Sequence, residues 1–274
     1  MFILAAALVL VLVAAGCTGS GPGSATPTPG TPAVADESVN ETLRVFASEA
    51  QRSLDALDAN ASSAASALAR TGLTGPGAEA VLLNLSRSGN YTNDAATFDT
   101  NGEIRAVMPE DYQFAVGANI GGSSNIQGAL NGTPAMSPRI NVVEGFRAVA
   151  LSYPVLNSTG GVEGGVSAVF RPERLLAMPA LHALDNGSHT LSAVQTDGTI
   201  IFDTNVRLIG QSILNESQYG TATDLAALAR EIVATPSGAG SYRANATTGE
   251  VRGIAWQTVG LHGTDWRLVA NQGR

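Results

Sequence analysis

Between residues 37 and 71 an apolar side chain returns every three or four positions: Val39, Leu43, Phe46, Ala50, Leu54, Leu57, Ala61, Ala64 and Leu68. That spacing draws one stripe along a helix, and neither Pro nor Gly interrupts it before TGLTGPG at 71–77. A helix of about 30 residues is about 45 Å long, more than one side of an ordinary domain requires. A shorter helix is expected over 78–86. After Tyr91 the period changes, and 97–99, 103–107, 147–155 and 165–170 read as short strands separated by turn residues. Asn101-Gly102 is a hairpin turn signal, because Gly accepts the positive φ of a type I′ turn. The Gly-, Ser- and Asn-rich stretch 116–138 reads as a long loop, a feature that compact domains keep for function.

The turn-and-strand pattern is written twice. QTDGTIIFDTNVRLIGQSI (195–213) answers DTNGEIRAVMPEDYQFAVGANI (99–120), and Ala234-Thr235-Pro236 answers Gly132-Thr133-Pro134. EVRGIAWQTVGL (250–261) answers GFRAVALSYPVL (145–156), with Arg252 opposite Arg147, and DWRLVAN (265–271) answers GVSAVFR (165–171). Four segments in preserved order, about 100 residues apart, predict tandem modules rather than a solenoid. The stretch 171–185 reads as a helical linker between them.

Charge and cysteine usage alter the picture in one respect, the compartment. A net charge of −8 with no basic stretch excludes a nucleic-acid surface. Residues 2–15 are apolar, too short for a span of about 20 residues, and end in Ala14-Ala15-Gly16-Cys17. This reads as a secretory signal over 1–17 whose end resembles a lipobox, with Cys17 as the lipidated first residue of the mature chain. The Gly/Ser/Pro/Thr-rich segment 18–36 then reads as an extended tether. Nine of sixteen asparagines stand in N-x-S/T sequons: Asn40, Asn60, Asn84, Asn90, Asn131, Asn157, Asn186, Asn215 and Asn245. Chance at this Ser/Thr content gives about two or three. The expected location is the extracellular face of the cell membrane, on a lipid anchor.

Several chemistries find no support. Asp99-Thr-Asn101-Gly-Glu103 lacks the length and closing glutamate of a calcium loop. His182, His189 and His262 are dispersed, without metal-ligand spacing. No G-x-S-x-G occurs, and the glycine pairs do not open a helix after a strand as a phosphate loop would. No enzyme activity, metal or cofactor is expected.

A long amino-terminal helix, an Asp-Gly turn, a loop closing on Ile-Gly, a small-residue loop, Thr-Pro and a strand ending in Pro-Val together resemble the Cache superfamily. The resemblance is to its double form, an extracytoplasmic PAS-like sensor, and TDGTIIFDTNVRLIG … GTDWRLV is similar to archaeal members, including lipoproteins. It covers about residues 37–274. It implies an α+β fold in which one long helix is followed by two tandem PAS-like modules, each an antiparallel sheet flanked by helices. The modules would be 37–177, distal to the membrane, and 178–274. It also implies a small-molecule ligand such as an amino acid, a carboxylate or a similar metabolite, held in the distal module. The chain ends at Arg274 soon after the last strand, so signalling is expected through a separate membrane receptor, kinase or transporter. Where many members carry Arg-x-Tyr-Phe this chain has Ser123-Ser124-Asn125-Ile126, and the ligand's identity is not carried over.

Alternation in GFRAVALSY sets Phe146, Ala148, Ala150 and Ser152 on one face and Arg147, Val149, Leu151 and Tyr153 on the other. Small residues on the first face would leave a cavity, and larger ones on the second would pack on the long helix. The candidate ligand residues are Arg139, whose fork suits a carboxylate, Tyr153, Ser152, Arg147, and Tyr112 and Asp111 at the entrance to the long loop. Trp256 and Ile254 suggest a filled core in the second module. The competing reading is a structural or adhesive surface glycoprotein without a ligand.

Overall fold

The protein's structure, a computed structural model, describes residues 37–184, 189–219, 224–245 and 248–273. The signal, Cys17, the tether, Asn186 and the side chain of Asn245 lie outside the described residues. The apolar stripe becomes α1, Glu37–Thr71, and all nine positions that define it are buried. The 35-residue helix is about 52 Å long at the usual rise. Gly72, with φ +83°, ends it and returns its N–H to the Leu68 carbonyl at 2.8 Å. α2, Gly75–Ser86, follows with a proline in its first turn.

Two antiparallel sheets follow. The first comprises β1 (Thr92–Asp99), β2 (Ile104–Met108), β3 (Ala135–Met136), β4 (Ile140–Asn141), β5 (Arg147–Leu156) and β6 (Val162–Phe170), in the order β2-β1-β6-β5-β3 with β4 beside β5. The second comprises β7 (His189–Gln195), β8 (Ile200–Asp203), β9 (Ser237–Asn245), β10 (Glu250–Leu261) and β11 (Thr264–Gln272), ordered β8-β7-β11-β10-β9. The strand order is the same in both, and each sheet is flanked by helices: the fold is two tandem PAS-like modules behind one long helix. The linker is helical, as α4 (Pro172–Leu175) and α5 (Ala177–Ala183) in the numbering that counts α3, Ser124–Leu130, before them. α6, Asp224–Ala234, belongs to the second module.

The repeat is visible in backbone hydrogen bonds. The Ile104 N–H donates to the Ala118 carbonyl, and the Gly117 N–H donates back to Ile104. Ile200 donates to Gln211 and Gly210 to Ile200 in the same way. Gly102 and Gly198 take positive φ at the same point of each hairpin. Three expectations change. β1 starts at Thr92, earlier than 97, because the polar TND hides a strand. The stretch 116–138 is not one loop but holds α3 and β3, since Ile126 and Ala129 bury themselves against Phe98. Finally, β5 and β10 correspond one residue, and β6 and β11 two residues, out of the expected register. Ser152 pairs with Ser167 and that with Ala96, whereas Trp256 pairs with Val269 and that with Ser192. Ser152 therefore corresponds to Trp256, and Arg252 to Ala148 rather than Arg147. A slip of one residue moves every side chain to the other face.

One face of each sheet packs on α1. Val149, Leu151, Val166 and Phe170 from the first, and Leu191, Ala255, Trp266 and Leu268 from the second, join the α1 stripe in a single apolar core. Phe46 meets Phe202 at 5.8 Å between ring centroids, and Phe170 meets Trp266 at 6.4 Å. The amino-terminal half of α1 lies on the second sheet, where the Gln51 amide exchanges two 3.1 Å hydrogen bonds with the backbone of Gly260. Further along, Asp58 joins both sheets: its Oδ1 accepts from the Tyr153 hydroxyl at 2.7 Å and lies 2.6 Å from His262 Nε2. The opposite faces of the sheets carry separate, smaller apolar clusters.

Leu54 is fully buried in the shared core. Leu54→Ala should cost about 2–5 kcal/mol and lower one unfolding transition for both modules. Calorimetry checks this; two separated transitions would contradict a common core.

Candidate functional site

On the face of the first sheet away from α1 lies a cavity of about 250 Å³. Its floor is β1, β5 and β6, through Asp94, Ala96, Ala150, Ser167 and Val169. Its walls are the strap 119–126 and the segment 140–144. Small residues at Ala148 and Ala150 leave the space, as the alternation requires, and Gly165 is needed nearby because a Cβ there would lie 2.3 Å from the Phe98 ring. The Val142–Phe146 hairpin, turned by Gly145 at φ +86°, brings Glu144 to the cavity wall.

The unpaired polar groups of the lining are acceptors. Asp94 is 0 % exposed, and neither of its carboxylate oxygens meets a protein donor. Burial first, and the negative charge of Glu144 second, push its pKa up to about 8. Burial also raises that of Glu144, whose Oε2 is without a partner. Asn125 donates from Nδ2 to Ser152 Oγ at 2.8 Å, Ser152 donates to Ser167 Oγ at 3.1 Å, and the Asn125 Oδ1 is left unpaired. Among the described residues no Arg, Lys or His lines this cavity.

The sequence candidates divide. Ser152 is fully buried behind the lining and bonds to two residues that belong to it, Asn125 and Ser167. Tyr112 is half-buried beside the wall, against the Ala96, Ile104 and Val107 cluster, whereas Asp111 is exposed. Tyr153 turns to the helix face and Asp58, so it orients nothing in the cavity. Arg147, on the same side of β5, is exposed. Arg139 is not in the cavity lining either: its Nη1 lies against Gly210 of the second module, 3.2 Å from where a Cβ there would stand, and its backbone N–H donates to Gln195 Oε1 at 2.6 Å. Asp94 and Glu144 are not among the sequence candidates. A strand expected to start at 97 leaves Asp94 outside it; a carboxylate alternating with Ala96 and Phe98 is the signal that points to it. Asn40, Asn60, Asn84, Asn90, Asn131 and Asn215 are exposed and Asn157 is half-buried.

The second module is not filled as Trp256 and Ile254 suggested. Its outer face holds a cavity of about 310 Å³ between the sheet and α6, with Ile254 in its lining. Trp256 lies to one side, over Gly238, where a Cβ would come within 2.2 Å of the indole. Among the described residues no group of His, Cys, Asp and Glu could hold a metal ion, and no helix is long and apolar enough to cross a membrane.

Against known proteins, residues 52–172 match the family described as "HK/GC/Chemotaxis protein-like, sensor domain". An extracellular ligand-binding receptor from Desulfohalobium retbaense is similar over 88% of this chain, with 30% identity and a TM-score of 0.73; the chain spans 41% of that receptor. The periplasmic sensory domain of the Campylobacter jejuni chemoreceptor Tlp1 shares the fold at a TM-score of 0.59 and 14% identity, over 85% of this chain and 92% of that one. The ligand-binding domain of the Pseudomonas fluorescens chemoreceptor CtaA, in complex with L-alanine, does so at 0.60 and 15% identity, over 85% and 95%. No curated protein matches the sequence. The chain thus shares the architecture of extracytoplasmic ligand-binding domains, and its residues 52–172 are similar to a sensor-domain family.

The folded protein holds the Asp94 proton up to about pH 8, whereas an unfolded chain releases it near pH ~3.9. Between those values the folded state binds more protons, so the ligand-free protein should lose stability as pH rises through the window. Asp94→Asn should flatten that slope and raise the melting temperature at pH 8, measured by thermal unfolding across pH. An unchanged slope would place the Asp94 carboxyl in a less desolvated setting.

Proposed function

We propose that this chain is an extracellular ligand-binding sensor or capture domain whose first cavity takes a small molecule by a cationic amine. One observation carries the reading: a fully buried, unpaired carboxylate, Asp94, shares the cavity with Glu144 and with no cationic side chain. Ionising a buried, unpaired carboxyl is costly, so Asp94 stays protonated while the cavity is empty; an ammonium group would bring the charge and the donors that let it ionise. A carboxylate ligand would meet two acids and no guanidinium. The L-alanine bound to the Pseudomonas fluorescens receptor also carries an ammonium group, which supports this choice within the amino acids, carboxylates and related metabolites that the fold suggests.

In this reading the protein is exported, held by a lipid on Cys17 and spaced by the 18–36 tether, with modules 37–177 and 178–274. α1 begins beside the second sheet, so an anchor upstream of it would leave the first module outermost. The outward sequons would carry glycans. Ligand would draw the strap 119–126 onto the first sheet and move that sheet against α1, and a separate membrane receptor, kinase or transporter would read the shift.

The test uses one carbon skeleton with three charge patterns: 3-methylbutylamine, L-leucine and 4-methylpentanoate, titrated calorimetrically into the full chain. The amine should bind best and the carboxylate not at all, and Asp94→Asn should weaken the amine at least tenfold. Preference for 4-methylpentanoate, or an Asp94→Asn variant with unaltered amine affinity, would reject the amine reading. Silence from all three at millimolar concentration would favour the structural glycoprotein.

A further inference from the structure

We infer that the second module carries a second, chemically different binding site, which takes a neutral and largely apolar molecule of about benzene-to-indole size. The outer-face cavity there, about 310 Å³, lies between the sheet and α6. Its size falls in the range of ligand pockets rather than packing defects. Leu228 and Ile232 of α6 pack on Tyr242, Ile254 and Trp256 and so space the helix from the sheet, while Ala229 between them is too small to fill the gap it lines.

The chemistry of the lining separates this site from the first. In structural register Thr190 stands where Asp94 stands, and Val269 where Ser167 stands, since Ala96 and Ser192 occupy equivalent places in their sheets. No second carboxylate resembling Glu144 lines it; the one acid in the lining is Asp203. The polar groups present satisfy one another. Ser192 Oγ donates to Asp203 Oδ2 at 2.6 Å, and the Asn205 N–H donates to Asp203 Oδ1 at 2.6 Å. Tyr242 and Asn271 pair through hydroxyl and amide at 2.7–3.0 Å. Burial raises the pKa of Asp203 too, but both of its oxygens already accept hydrogen bonds, unlike the buried acceptors of the first cavity, which stand unpaired. What remains is apolar surface from Val194, Ile200, Leu228, Ile232, Ile254 and Val269. Burying such surface against an apolar guest is favourable, and apolar cavities of even half this volume take up benzene-sized guests. A single hydroxyl or N–H on the guest can be met at the edge by Asp203 or Asn271.

The probe is indole. Calorimetric titration of the full chain should give saturable binding, and 5-bromoindole soaked into crystals should give a bromine anomalous peak between α6 and the second sheet. Ala229→Phe fills the cavity and should weaken indole at least tenfold while leaving the response to 3-methylbutylamine unchanged. Ala229→Leu should fall between, and serves if the larger side chain prevents folding. Indole affinity indifferent to both substitutions, or bromine density elsewhere and none at this place, would overturn the inference. The amine titration reads the first cavity separately, so either site can fail without the other.

Discussion

The structure depends on one buried stripe. Nine apolar side chains on α1 are covered by residues of two different sheets, so neither sheet has a complete core without the helix. This is why the helix runs for 35 residues, and why Leu54, Leu57 and Phe46 are fully buried. The Asp58 carboxylate adds a polar fastening where the sheets approach each other, with Tyr153 from one side and His262 from the other. Displacement of the first sheet against the helix cannot occur without altering that triad.

The outer faces obey a different rule. Each encloses space rather than filling it, and each does so with the same strands in the same order. The difference lies in a few side chains. An aspartate in β1 gives the first cavity an ionisable carboxyl that burial and a neighbouring acid hold protonated to about pH 8. The corresponding threonine in β7 gives the second cavity none.

Much of this is legible in the sequence. The helix can be read because apolar steps of three and four sustained over 35 residues suit a helical face and no strand. The repeat can be read because hairpin turns need glycine at fixed places. The face assignment along β5 also follows from alternation, which sets Ala148 and Ala150 toward the cavity and Leu151 toward the helix. The site is less legible. Arg139 and Tyr153 have side chains suited to a ligand, but strand position alone does not say which way they turn; the Tyr153 hydroxyl is taken by Asp58, and the Arg139 guanidinium lies against Gly210 of the second module. Asp94 escapes because Thr-Asn-Asp is turn composition locally, and only pairing with β6 makes it a strand. The same locality accounts for the register between β5 and β10, where two arginines invite an alignment that the hydrogen-bonding partners refuse.

A common helix also divides the sequence into parts with unequal freedom to drift. A substitution on the helix-facing side of either sheet disturbs packing that both copies share, so each duplicate constrains what its twin can become. Substitutions on the far sides meet no such veto. From a duplicated ancestor, the two chambers could therefore diverge in taste while the scaffold between them stood still.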